Sequence, residues 1–406
     1  MNSLFIGIDV SSTNNTVFIM RPNGDKHSSF SVSNNLPGAK TLSQRITDAM
    51  SVSRTENIVI GMESTSVYGD HLVYFLREDF GLSKFNKKIH VLNAKQVDKF
   101  KESYPDLPKN DDVDAFVIAD YLRFGRINRE VYMDDYRYKA LQNLTRARFF
   151  AVNNLTKEKQ RFLNYLFLKF SNMAVDNVFS NTFGATSLAV IEEFLTVDEI
   201  ADMNFDNLLD FIKTKGRNRF DDPVAVAKAV QAAARGSYRL PKTINDSVNQ
   251  VLSIQISSIR ALESQIDSFN KAIGEQIKLI PNTLQSVKGI GPVFAAGIIA
   301  EVGDINRFNS QASLAKYAGL AWTQHQSGSF EAENTKLIRT GNRYLRYYLI
   351  EAANSVRRCT PDYARFYNLK FKEVNRFQHK RALALTARKL VRLVFALLKT
   401  NRLYKP

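Results

Sequence analysis

The sequence predicts a multi-domain chain, with an α/β domain at the N-terminus followed by regions built of helices. Three observations carry that prediction. Short β-rich runs are confined to about the first 130 of the 406 residues, two long stretches with helical apolar spacing follow, and the basic charge collects at the far end.

The N-terminal elements can be taken in order. LFIGIDV, NTVFIMR and HSSFSVS are β-rich runs separated by the turn formers SSTN and PNGD, which predicts a meander of three antiparallel strands. A helix is expected over residues 38–54, then a strand at NIVIGME, a helix at HLVYFLRE and a strand at KIHVLNA. Three antiparallel strands, a helix, and then strands alternating with helices describe the ribonuclease H architecture. In that arrangement the first and fourth strands are side by side, so Asp9 and Glu63, each at the end of its run, become neighbours.

Two more acids follow in KNDDVDAFVIADYL. Asp111 and Asp114 are three apart in a segment with helical spacing and so share a helix face. Asp9, Glu63, Asp111 and Asp114 are hard oxygen donors, the type that suits Mg²⁺ or Mn²⁺. Each acid alone also has an ordinary reading, as a turn former after a strand or, for Asp111 and Asp112, as a cap for the helix that follows.

Beyond this domain, residues 136–170 carry Leu141, Leu144, Leu155, Phe162 and Leu166 along one stripe. Residues 244–280 carry Val248, Leu252, Ile259, Leu262, Ile266, Phe269 and Ile273 at intervals of three, four and seven. Two such helices predict an antiparallel coiled-coil arm. Shorter helical signals fill residues 171–240, and they point to no function.

The third region opens with LQSVKGIGPVFAAGIIAEVGDINRF. Gly289 and Gly291 flank Ile290 beside Lys288, the pattern of a helix-hairpin-helix whose backbone N–H groups can meet a phosphate. Charge supports a polyanionic partner. From residue 336 to the end there are eighteen Lys and Arg against three acids, so +15 of the net +16 lies in the last 71 residues. Tyr344, Tyr347, Tyr348, Phe366, Tyr367 and Phe371 interleave with these bases. Arg339, Arg343 and Arg346 are the candidate phosphate contacts.

Composition excludes other classes. Cys359 is the single cysteine, so an intramolecular disulfide, a CxxC pair and a cysteine-based zinc site are all ruled out. The longest apolar stretches, such as VFAAGIIA, are too short to span a bilayer, and Asp9 interrupts the first apolar run, unlike a signal peptide. A cytoplasmic protein with no membrane partner is expected.

Taken together, GIDVS, GMES, KNDDVDA, GIGPVFAA, FNSQASLAKYAGL, QSGS and RTGNRYLRYYLIEAA resemble the DEDD transposases of bacterial insertion sequences, the insertion-sequence one-ten family and its pilin-gene invertase relatives. The resemblance implies a junction-resolvase-like (RuvC-like) catalytic domain over residues 1–130. A helical coiled-coil connector would follow over 131–280, with an inserted segment at about 171–240, and a mainly helical C-terminal transposase domain over 281–406. Asp9, Glu63, Asp111 and Asp114 match the family's acidic tetrad, and Ser327, before Gly328, matches its nucleophilic serine. The family are DNA recombinases acting on double-stranded donor and target DNA. Many work with a structured noncoding bridge RNA from the element's own ends. The resemblance also implies a homo-oligomer, a dimer or a tetramer in synapsis, in which Ser327 and the acids form a composite site, working on the bacterial nucleoid. The chain departs from the family at Lys288 and Trp322, where proline is common, at Asn110, where threonine is frequent, and at Arg339, which replaces the usual lysine.

Other readings of the residues stand beside this one. Ser329 rivals Ser327 as a hydroxyl donor, and His325 is a nearby base or a plain loop residue. A junction-type nuclease would use the same four acids to activate water, with no covalent intermediate. An actin-like sugar kinase or ATPase shares the GIDVSSTNNTVFI pattern, but the Asp-Gly-rich and Gly-Gly loops it needs are missing from the sequence. A non-catalytic RNA-binding protein would leave the tetrad unexplained.

Overall fold

The computed structural model describes residues 3–64, 67–108, 110–125, 136–176, 178–322, 326–327, 330–331, 337 and 341–405, with the backbone alone at 326–327 and 330–331. The chain forms two compact units, Met1–Tyr132 and Met133–Pro406. The first is mixed α/β and the second almost entirely helical.

In the first unit the order is β1 Ser3–Val10, β2 Asn14–Met20, β3 Lys26–Ser33, α1 Leu36–Ser53, β4 Asn57–Glu63, α2 Asp70–Glu78, α3 Phe80–Ser83, β5 Asn86–Leu92, α4 Ala94–Lys101 and α5 Asp111–Phe124. One five-stranded sheet results, in the order β3-β2-β1-β4-β5. β1, β2 and β3 pair antiparallel, while β1–β4 and β4–β5 pair parallel. The short turns after β1 and β2 permit hairpins, whereas β1 can reach β4 in parallel only across the length of α1. Leu4, Ile6 and Ile8 with Ile58, Ile60 and Met62 are fully buried on one face, and Phe5 and Val59 pack with α5 on the other. A sheet covered on both faces reads as nearly continuous apolar runs, which is how β1 and β4 look in sequence.

Gly7 and Gly61 face each other across β1 and β4. A Cβ on Gly7 would lie 2.1 Å from the Ala115 carbonyl oxygen, and one on Gly61 would meet the Leu122 side chain at 2.7 Å. These two glycines therefore let α5 cross the sheet at close range, which sets how near its first turn comes to the ends of β1 and β4. Gly7→Val is expected to lower stability by about 1–3 kcal/mol through overpacking. The check is the urea midpoint, and an unchanged midpoint would show that α5 can back away freely.

The second unit runs α6 Tyr136–Lys169, α7 Ser171–Val175, α8 Ala185–Glu193, α9 Val197–Ala201, α10 Phe205–Gly216, α11 Pro223–Gly236 and α12 Lys242–Ile277. There follow a 3₁₀ turn Leu284–Ser286, α13 Pro292–Val302, a 3₁₀ turn Ile305–Arg307, α14 Gln311–Tyr317, β6 Gln326–Ser327, β7 Phe330–Glu331, α15 Arg343–Cys359, α16 Pro361–Lys372 and α17 Gln378–Thr400. α6 and α12 pack antiparallel. Arg137 Nη1 donates to Leu279 O at 2.9 Å, Arg148 Nε to Asn270 Oδ1 at 2.6 Å and Lys159 Nζ to Glu263 Oε1 at 2.6 Å, so the partner number falls as the α6 number climbs. Val248, Leu252, Ile256, Ile259, Ile266, Ile273 and Ile277 are the buried stripe of α12.

Residues 171–240 have a plain structural role. Phe170, Leu188, Ile191, Leu208, Ile212 and Val230 build a core with Phe162 and Leu166 of α6 and with Val248, Leu252 and Ile256 of α12, wrapping one end of the helix pair. A second core joins the other end of that pair to α13, α14, α15, α16 and α17, with Tyr348 and Phe308 among its largest buried side chains. No helix among the described residues is long and apolar enough to cross a membrane.

Candidate active site

Asp9 stands next to the end of β1 and Glu63 at the end of β4. Ile8 is in register with Met62, so the next step brings Asp9 and Glu63 side by side at the same end of the sheet. Alternation along the strands puts both on the face of Gly7 and Gly61, the one α5 covers.

The first turn of α5 supplies the other acids. Asn110 caps the helix, its side chain accepting from the Val113 N–H at 2.9 Å, so neither Asp111 nor Asp112 has the capping role. Acids in this turn gain from the helix macrodipole. Asp112 accepts from Ser29 Oγ on β3 at 2.9 Å, apart from the other acids.

The electrostatics tie these carboxylates together. Burial raises the Asp9 carboxyl above the usual range, and the negative charges of Asp114 and Asp111 raise it further. Burial, with repulsion from Asp98, Asp9 and Asp114, pushes Glu63 up to about 7. Lys101 opposes both shifts, and its Nζ lies 2.5 Å from Asp114 Oδ1. Among the described residues, Lys101 is thus the cation that pairs with Asp114 of this acidic cluster.

Asp98 and Lys101 both come from α4, a helix that sequence reasoning missed. Its eight residues include three lysines, and only Val97 is fully buried, so the apolar signal is weak. The signal that could have found it is Asn93, whose side chain caps the helix by accepting from Lys95 N at 3.0 Å.

The donor set suits a hard dication: the four acids offer oxygen ligands only, and their mutual repulsion is what such an ion would relieve. Among the described residues, no three acidic, histidine or cysteine side chains already surround one ion-sized point. Loading would require Lys101 to give up Asp114.

The second unit carries the remaining candidates. Ser327 lies in β6, paired with Phe330 of β7 in a two-stranded antiparallel ladder. The Ser327 side chain, Gly328, Ser329, His325 and Arg339 lie outside the described residues. The base of this segment is well defined. Asn342 N donates to Tyr317 O at 2.6 Å, and Gly341 sits so near Gly319 that a Cβ would meet its backbone nitrogen at 2.3 Å. The chain therefore leaves α14 and returns to α15 at one place.

A buried ion pair holds that place. The Glu301 side chain is 0% exposed and accepts from Arg146 Nε at 2.7 Å and Nη2 at 2.9 Å. Asn342 Nδ2 donates to the same carboxylate at 2.7 Å, while Asn342 Oδ1 caps α15 by accepting from Tyr344 N and Leu345 N. Glu301→Ala would leave the Arg146 guanidinium without its carboxylate, while Asn342 Nδ2 keeps the Tyr317 hydroxyl at 3.2 Å, and about 3–5 kcal/mol of stability should be lost. Replacing Arg146 and Glu301 together with methionine should recover most of that loss in the same denaturation assay. Equal damage from the single and double changes would contradict the ion-pair account.

Of the phosphate candidates, Lys288 is exposed, and Gly289 has φ +100° and packs against the Val356 backbone of α15. Gly291 caps α13 with open space where a side chain would be. The element before this turn is a single 3₁₀ turn, Leu284–Ser286, rather than a full helix. Arg343 is exposed, with its guanidinium over Tyr344, and Arg346 is half-buried, its Nη1 reaching Ala318 O at 3.5 Å.

Two family models match the chain, one described as "Transposase" over residues 6–170 and one as "Transposase IS116/IS110/IS902 family" over residues 282–368. The insertion element IS116 uncharacterized 44.8 kDa protein of Streptomyces clavuligerus is 26% identical over 77% of this chain and 77% of its own length. The insertion element IS110 uncharacterized 43.6 kDa protein of Streptomyces coelicolor is 34% identical over 36% of this chain and 34% of its own. The transposase for insertion sequence element IS1111A of Coxiella burnetii is 27% identical over 47% of this chain and 50% of its own. The first match contains Asp9, Glu63, Asp111 and Asp114 together with α6, and the second spans α13, α14 and α15, so the two candidate regions fall inside the matched segments. With both ends matched in this way and one relative aligned along most of its length, the chain belongs to the IS116/IS110/IS902 family of insertion-sequence transposases.

Proposed function

We propose that this transposase cuts and rejoins double-stranded donor and target DNA through a phosphoserine intermediate at Ser327, assisted by a divalent cation on Asp9, Glu63, Asp111 and Asp114. The observation that carries the proposal is the shared electrostatics of these acids, gathered at the strand ends beneath α5, where burial and like charge raise the Asp9 and Glu63 carboxyls. Mg²⁺ held there would neutralise charge that builds on the phosphorus during transesterification. In the step itself, the Ser327 oxygen forms a bond to phosphorus, the bond to one sugar oxygen breaks, and that oxygen leaves as a hydroxyl after taking a proton. The reverse attack by a new strand end rejoins the DNA, so no external energy source is consumed.

The rest of the chain has parts to match. Residues 1–130 act as a junction-resolvase-like catalytic domain, 131–280 as a coiled-coil connector and 281–406 as the serine-bearing domain. We assign the basic charge from residue 336 onward to polynucleotide backbones, including a structured bridge RNA, in a cytoplasmic homo-oligomer on the nucleoid. The direct test incubates the full-length protein with DNA bearing the element's ends and its flanking transcript, with Mg²⁺ or with chelator. Strand cutting and joining that need both Mg²⁺ and transcript support the reading, and binding with no cutting under any condition refutes it.

A titration checks the basic face. Neutralising Arg343 or Arg346 should reduce the slope of log affinity against log salt by about one for each phosphate no longer engaged. Unchanged slopes would assign these arginines to packing alone.

A further inference from the structure

Aromatic rings from two helices meet beside the base of the serine-bearing segment. Phe149 of α6 packs edge-on to Tyr347 and Tyr344 of α15, with centroids 4.9 and 5.2 Å apart, and this is ordinary helix packing. Phe150 is different. Its ring touches the rim of that cluster, 5.6 Å from Phe149 and 6.0 Å from Tyr344, and the residue is 47% exposed. Arg343, also exposed, holds its guanidinium 5.6 Å from the Phe150 centroid and 4.8 Å from that of Tyr344, and its Nη2 donates to the Tyr344 hydroxyl at 2.8 Å. No carboxylate pairs with Arg343 among the described residues.

We propose that Phe150, Tyr344 and Arg343 form a stacking site for one unpaired base of single-stranded DNA next to the cut strand. An exposed ring beside a cation that no described carboxylate pairs is the combination that a nucleobase and its phosphate satisfy together: the ring stacks on the base, and the guanidinium faces base or phosphate. An acidic protein partner would meet the charge but leave the planar ring surface without a matched face. The site's position selects DNA over RNA. Arg343 and Tyr344 open α15, directly after Asn342, which is hydrogen-bonded to Tyr317 where the segment holding Ser327 closes. Arg146, over Tyr344 at 4.5 Å, is locked by Glu301, so the ring it backs is held in place. A strand opened for cutting at that segment would have unpaired bases within reach. This inference rests on the transposition reading above.

The test places the fluorescent base aminopurine at successive positions of a short single strand carrying the element's end sequence, with the full-length protein and no cleavage. One position should be quenched several-fold, and Phe150→Ala should remove the quenching and weaken binding about tenfold. Phe150→Trp should restore both, and Phe167→Ala, an exposed ring elsewhere on α6, should change neither. Quenching that survives Phe150→Ala overturns the site. An RNA strand of the same sequence that binds tighter and loses more on Phe150→Ala overturns its assignment to DNA. Because the readout needs no cutting, quenching with no protein–DNA adduct sinks the serine reading alone, and an adduct with no quenching sinks this one alone.

Discussion

Asp9→Asn and Glu63→Gln are each expected to abolish Mg²⁺-dependent strand cutting while leaving DNA affinity and fold intact. The amides keep the shape of the side chains but lose the charge that a hard cation requires. Stability should move the other way. Burial and like charge raise both carboxyls in the folded chain, so removing the charge relieves repulsion, and the metal-free variants should be as stable as the parent or more so, by up to ~1 kcal/mol after solvent screening of these half-buried groups. Lost activity with lost stability would mean that the acids serve the fold instead. Asp112→Asn is the internal control, because an amide oxygen can still accept from Ser29 Oγ. Full activity in either Asp9→Asn or Glu63→Gln would remove the metal assignment.

The second large effect is expected at Ser327. Ser327→Ala should block strand exchange and eliminate any covalent protein–DNA species, with affinity near that of the parent, because the change deletes one oxygen from a two-residue strand. Ser329→Ala should retain both activities. Strand cutting that continues in Ser327→Ala, with a free phosphate at the cut, would transfer the chemistry to water activated at the acids.

How far the sequence can be read depends on how each element is stabilised. β1 and β4 announce themselves because burial on both faces demands apolar runs, and the long helices do so because Val248, Leu252, Ile259, Ile266 and Ile273 keep one helical period along most of the 36-residue α12. Asp9 and Glu63 are legible for a similar reason: an acid closing an otherwise apolar strand is conspicuous. α4 is not, since a short amphipathic helix rich in lysine looks like a solvated loop, and with it Asp98 and Lys101 are lost from view. Glu301 is hidden as well. It stands in an apolar helix where one acid suggests a rim position, and only the three-dimensional arrival of Arg146 and Asn342 shows it to be buried and paired. Residues 171–240 likewise gain a meaning only when their core is seen to close over one end of α6 and α12.

The most direct measurement is a denaturing gel of full-length protein incubated with Mg²⁺, end-labelled cognate DNA and the flanking transcript, followed by peptide mapping of any slow-migrating band. The account predicts a protein-linked DNA species whose phosphate maps to Ser327, present in the parent, absent in Ser327→Ala and absent in Asp9→Asn. Cut DNA with free phosphate ends and no protein-linked species in the parent itself would contradict it.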